Sequence, residues 1–140
     1  MLLLSAGFLY WALRNNLEQA DRQFLVDKIL VLRMILQVRP EDADALEEEV
    51  TWEGATRQFT KYSARVLDDQ QRTLIETPGM SERISPLRFP APIAAAAVPD
   101  TGVKWRSHQG QSYFLLAAWA EVGHAGGTQR LLQVALDVSR

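Results

Sequence analysis

The chain has two histidines, three methionines and no cysteine, so disulfides, thiolate metal sites and a cysteine nucleophile are all excluded. His124 sits in a glycine-rich turn, Gly123-His124-Ala125-Gly126-Gly127, and Met80 follows Pro78-Gly79. These two are the metal-ligand candidates, and neither histidine has a second ligand at the helical spacing that zinc motifs need. A single thioether binds metal poorly, and Met80 reads instead as a plug into the core. His108 follows Lys104 and Arg106 on the polar side of an alternating stretch, VKWRSH. The run Glu47-Glu48-Glu49 offers carboxylates, but consecutive residues on a helix diverge, and such runs face water. Neither a phosphate-binding glycine loop nor a nucleophile elbow occurs. No catalytic residue, metal or cofactor is assigned from these residues.

Binding chemistry has better candidates. Tyr62, Arg65, Trp105, Arg106 and Tyr113 combine aromatic surface with fixed positive charge, the means of holding an organic or anionic ligand. In a strand reading YSARV, alternation places Tyr62 and Arg65 on opposite faces, so the five cannot line a single cavity. The competing assignment makes the aromatics core residues and the arginines surface residues.

The elements that must position these groups follow from hydropathy. With 15 basic and 17 acidic residues the chain has no field to attract nucleic acid, and its 47% hydrophobic content suffices for one core. Met1 to Leu13 is almost wholly apolar (MLLLSAGFLYWAL), and helical spacing continues without Gly or Pro to Pro40. One continuous helix is expected. At ~1.5 Å per residue its apolar start covers roughly 20 Å, short of a hydrocarbon core of about 30 Å. It reads as the end of a transmembrane helix, with Tyr10 and Trp11 at the headgroup level. A signal peptide fits less well, since no basic residue precedes the apolar run; a buried helix of a soluble core is the other alternative. Leu13, Leu17, Ala20 and Phe24 then step by four, three and four along a polar rod, a seam suited to helix pairing. From Phe24 to Leu36 only Asp27, Lys28 and Arg33 interrupt the apolar character, which calls for a sheet as cover.

Pro40 stops this helix and, with Glu41, Asp42 and Asp44, opens a second, which Gly54 breaks. Lys61 to Asp68 reads as a half-buried strand, Asp68-Asp69-Gln70-Gln71 as a turn, and Arg72 to Thr77 as the returning strand. Met80 to Gly102 is a proline-punctuated crossover with a short helix near Ser81 to Ile84. Val103 to His108, Ser112 to Val122 and Leu132 to Val138 are further strands; the second, apolar on both faces, is expected to be central. The expected class is α+β, with a five-stranded antiparallel sheet.

Taken together, LYWAL, LEQADRQFLVDKILVLRMIL, YSARVLDDQQRTLIETPGM and LLQVALDVSR resemble the extracytoplasmic sensor region of bacterial two-component membrane histidine kinases, in the subgroup labelled heavy-metal sensor kinases. The resemblance spans essentially the whole chain. It implies a PAS-like domain of the periplasmic type, with residues 1–13 the end of a truncated transmembrane helix and 14–140 the sensor domain, on the periplasmic side of the inner membrane. It further implies a homodimer and cytoplasmic HAMP and kinase regions. The phosphoacceptor histidine and ATP-binding boxes of that family are missing here, so no kinase activity is expected of this piece. Metal-sensing members use His and Met side chains, and here only His108, His124, Met80 and the helical Met34 are available beyond Met1. The ligand stays unassigned. The competing function is a membrane-tethered binding or scaffold domain that transmits no signal, which the sequence following Arg140 would distinguish; an enzyme ranks behind both.

Overall fold

The computed structural model describes residues 2–39, 43–56, 62–97, 99, 102–123 and 127–138, with side chains described outside 2–6, 14–18, 43 and 51–56. Its elements run α1 (Leu2–Val38), α2 (Ala43–Thr56), β1 (Tyr62–Leu67), β2 (Thr73–Glu76), α3 (Met80–Arg83), a 3-10 turn (Pro86–Arg88), β3 (Val103–Arg106), β4 (Ser112–Glu121) and β5 (Gln129–Asp137). All five strands join one antiparallel sheet in the order β2-β1-β5-β4-β3. The first and last strands are therefore neighbours at its centre.

Helices cover one face of this sheet. α1 crosses β4 and β5, and α2 lies over β1 and β2. Leu25, Ile29, Leu32 and Leu36, spaced three and four apart as one helical stripe, meet the even-numbered residues of the three central strands: Tyr62, Ala64 and Val66, then Phe114 to Ala120, then Leu132, Val134 and Leu136. Lys28 joins the two helices: it donates to Glu49 at 3.3 Å and lies over the rings of Phe24 and Tyr62. Glu49 is thus half-buried, whereas its two neighbours Glu47 and Glu48 are exposed. Helix α2 also runs through Gly54 to Thr56, because propensity at one glycine is weaker than the packing of Leu46 and Val50 on the sheet. Pro40 to Asp42, its expected first turn, lie outside the described residues.

The opposite face is covered by the crossover, and this corrects the reading of the strands. β1 is buried along its whole length rather than on one side, and Arg65, which alternation puts on the strand's polar face, is 0% exposed. β5 is the central strand, although its Gln133 and Asp137 suggested a wet face. Met80, Ile84 and Phe89 from the crossover fill this layer against Tyr113, Leu115, Ala135 and Trp105, while Phe89 and Trp119 close over Leu67, Ala117 and Leu131. The prolines leave room for order: Pro86 occupies the start of the 3-10 turn, where its missing N–H costs nothing, and the Ser85 hydroxyl caps Leu87 N. β3 stops at Arg106, so His108 belongs to the following turn and not to the strand.

Candidate functional site

The most concentrated polar chemistry lies on the crossover side of the sheet. Register places Glu76, Arg65, Gln133 and Ala117 in one row across β2, β1, β5 and β4. A buried charge requires partners, and the row supplies them. Arg65 Nε donates to Glu76 Oε2 at 3.1 Å, Nη1 to Gln133 Oε1 at 2.8 Å, and Nη2 to the Ile84 carbonyl at 2.8 Å and Ser81 Oγ at 3.3 Å. The Ser81 hydroxyl donates in turn to Glu76 Oε2 at 2.5 Å, and Gln133 Nε2 donates to the Pro86 carbonyl at 3.2 Å. Phe89 covers the guanidinium, 5.8 Å from its ring centre. One arginine thus ties β1, β2, β5 and the 81–89 part of the crossover together.

Electrostatics here are those of a closed network. Burial pulls the Arg65 guanidinium below its ordinary value, and the Glu76 carboxylate, by hydrogen bond and by charge, acts the other way. Arg83 reaches the same strand, donating to Ser63 Oγ at 2.9 Å. Further along this face Trp105 stacks on Tyr113 with ring centres 5.8 Å apart, and the Tyr113 hydroxyl donates to Gln111 at 2.6 Å. Burial, then the charge of Asp137, raise the Tyr113 phenol above its usual range, against a smaller opposite effect from Arg83.

Of the five ligand candidates, Arg65, Trp105 and Tyr113 share this face. Tyr62 is on the helix side, edge-on to Phe24 at 5.5 Å, and Arg106 is exposed on the pleat opposite Trp105. Of the pairing seam, Leu13 and Ala20 are exposed, Phe24 is half drawn into the core, and the Leu17 side chain lies outside the described residues. Met80 is fully buried in the crossover layer, and His124 lies outside the described residues.

Sequence reasoning passed over Glu76, Ser81, Gln133 and Arg33. Gln133 resembled any outward polar residue of an alternating strand; Arg33, the one charge between Ile29 and Leu36, was the better signal. It lies at the sheet edge, where burial lowers its guanidinium below the ordinary value. Among the described residues no group of three or more His, Cys, Asp or Glu side chains could hold a metal. No described helix is long and apolar enough to cross a membrane. Compared with family models, curated proteins and solved structures, the chain shows no significant match.

Proposed function

We propose that this chain is the signal-input domain of a bacterial membrane sensor histidine kinase, PAS-like in fold, anchored by α1 and working on the periplasmic side as a homodimer. The observation that carries the reading is the double surface of α1. Phe8, Leu9, Tyr10, Trp11 and Leu13 are each 61–68% exposed. Successive helical residues are turned by about 100°, so these apolar side chains point all round the helix, as lipid contact requires and a single partner helix does not. The same element then buries Leu25, Ile29, Leu32 and Leu36 against β4 and β5. A displacement at the membrane would bear directly on the sheet.

The strand order with β1 and β5 side by side, helices on one face and a crossover on the other, supports the PAS-like reading. It also brings the end of β5 close to the helix layer: Leu136 pairs with Tyr62, whose ring meets Phe24 of α1 edge-on at 5.5 Å, while at the other end of the sheet the Gly123 amide in the β4–β5 turn donates to the Leu36 carbonyl at 3.0 Å. A stimulus need only favour one of two dimer packings, since a ligand shifts an equilibrium by its differential affinity for the two states. The test is cysteine crosslinking at Leu13 and Leu17 in the membrane-embedded full-length protein. Crosslinked dimers whose yield changes with stimulus support the proposal; a strictly monomeric protein ends it.

A further inference from the structure

β3 pairs with β4 only from Ser112 to Leu115, whereas β4 continues to Glu121. An uncovered edge of this kind exposes a row of backbone groups, and here the crossover fills it. Ile93 forms an isolated parallel bridge with Ala118, its N–H donating to the Ala117 carbonyl at 2.9 Å and its carbonyl accepting from the Trp119 N–H at 2.8 Å. The chain then turns back, Ala97 N donating to the Ala94 carbonyl at 3.0 Å.

What holds this strap is unusual in its composition. Ala94 to Ala97 offer only methyl groups, and Ala94, Ala96 and Ala97 are exposed with Ala95 half-buried, so among the described residues of the strap the large apolar contact comes from Ile93. A side chain from α1 adds a second attachment. Arg33 Nε donates to the Trp119 carbonyl at 3.0 Å, Nη1 to the Ala97 carbonyl at 2.7 Å and Nη2 to the Ala94 carbonyl at 3.1 Å. The planar fork of a guanidinium suits such a multi-point grip, which a lysine ammonium reproduces poorly. One residue of the helix therefore grips both the strap and the strand on which it docks.

We propose that Arg33 is a latch, making the docking of the 93–97 strap on the β4 edge and the seating of α1 on the sheet a single coupled equilibrium. A segment with few apolar contacts and many exposed backbone hydrogen bonds opens at low cost. A slide or rotation of α1 that takes the guanidinium out of range frees the strap, and by linkage the freed strap weakens the seating of α1. The latch stands on this geometry alone, whether or not the domain feeds a kinase.

Hydrogen exchange followed by NMR, on the whole chain in phospholipid nanodiscs, tests both halves. In Arg33→Met the Ile93 and Trp119 amides are expected to exchange about tenfold faster, with Arg33→Lys intermediate and the Ala64 and Val134 amides of the central strands unchanged. Conversely, Ile93→Ala is expected to speed exchange at the Gly123 amide, which reports the seating of α1. Unaltered exchange at Ile93 and Trp119 in Arg33→Met, or an equal rise at Val134, overturns the latch. A Gly123 amide unaffected by Ile93→Ala overturns the coupling. Failure to form dimers would remove the signalling proposal and leave these results standing.

Discussion

The Arg65 guanidinium donates to the Gln133 side-chain carbonyl at 2.8 Å across the two central strands, and neither residue is open to water. The pair is a cross-strand couple in which a charge meets an amide, with Glu76 supplying the neutralising carboxylate from the outer side. Removing the charge while keeping some length, as in Arg65→Met, leaves Gln133 and the Ile84 carbonyl without their donor. Truncation by Arg65→Ala adds a cavity and is expected to destabilise by about 3–5 kcal/mol, the usual cost of breaking a buried ionic partner. Glu76→Gln, which keeps an acceptor at a partly exposed position, is expected to cost less. Urea unfolding of the three variants checks the order; an Arg65→Ala loss no greater than that of Glu76→Gln would remove Arg65 from the centre of the fold.

Acid sensitivity is expected at the β1–β2 turn. The Asp68 carboxylate accepts from the Arg72 N–H at 2.8 Å and the Gln70 N–H at 2.9 Å, and pairs with Arg72 Nε at 3.0 Å. The Arg72 amide bond is the largest cause holding its pKa below the ordinary carboxylate value; partial burial opposes it, and the Gln70 amide and the Arg72 side chain add to it. With the folded value depressed, the native state binds fewer protons than the unfolded chain just below the unfolded value of about 3.9. Its stabilisation is complete above that pH and is lost as pH falls through the lowered native value. Asp68→Asn should therefore flatten the acid limb of a stability–pH curve measured between neutral pH and pH about 3. An unchanged acid limb would place the titrating groups elsewhere.

The same turn carries a strained residue. Gln71 has φ 64°, the left-handed region that a side chain disfavours. Gln71→Gly removes that penalty and adds unfolded-chain entropy, so a net gain of a few tenths to about 1 kcal/mol is expected. Thermal unfolding decides it: a fall in Tm would mean that the Gln71 side chain contributes more than its backbone costs.

Pairing of the β3 edge depends on a close approach. A Cβ at Gly102 would stand 2.8 Å from the Leu115 carbonyl oxygen, a backbone atom that cannot swing aside. Gly102→Ala is expected to destabilise by about 1–3 kcal/mol, the range for overpacking. The loss should appear locally as faster amide exchange in Val103 to Arg106, which pair with β4. Protected β3 amides in that variant would contradict the assignment.

Local chemistry made much of the architecture legible. The helix ends at Val38, just before Arg39-Pro40, because proline restricts its predecessor and cannot continue the ladder. The Asp68–Gln71 turn and the Gly123 turn lie between strands whose positions alternation had marked, since turn residues and period act over a few residues. The α+β class and the number of strands followed from those signals. The candidate site was legible only in part: Arg65, Trp105 and Tyr113 were visible as types, but not as a shared face.

What only the tertiary structure decided is which faces are wet. Alternation puts Arg65 and Gln133 each on the polar side of its own strand, and says neither that the two sides coincide nor what lies over them; the register pairs the two residues, and the crossover, folding back from α3 to Phe89, buries both. Strand order is equally non-local, for β5 is central because β1 and β4 flank it, and no residue within β5 records that. Arg33 shows the same limit. Its sequence neighbours mark a polar interruption in an apolar helix, while its partners at Ala94, Ala97 and Trp119 lie more than sixty residues away, brought within reach only when the sheet edge closes beside α1.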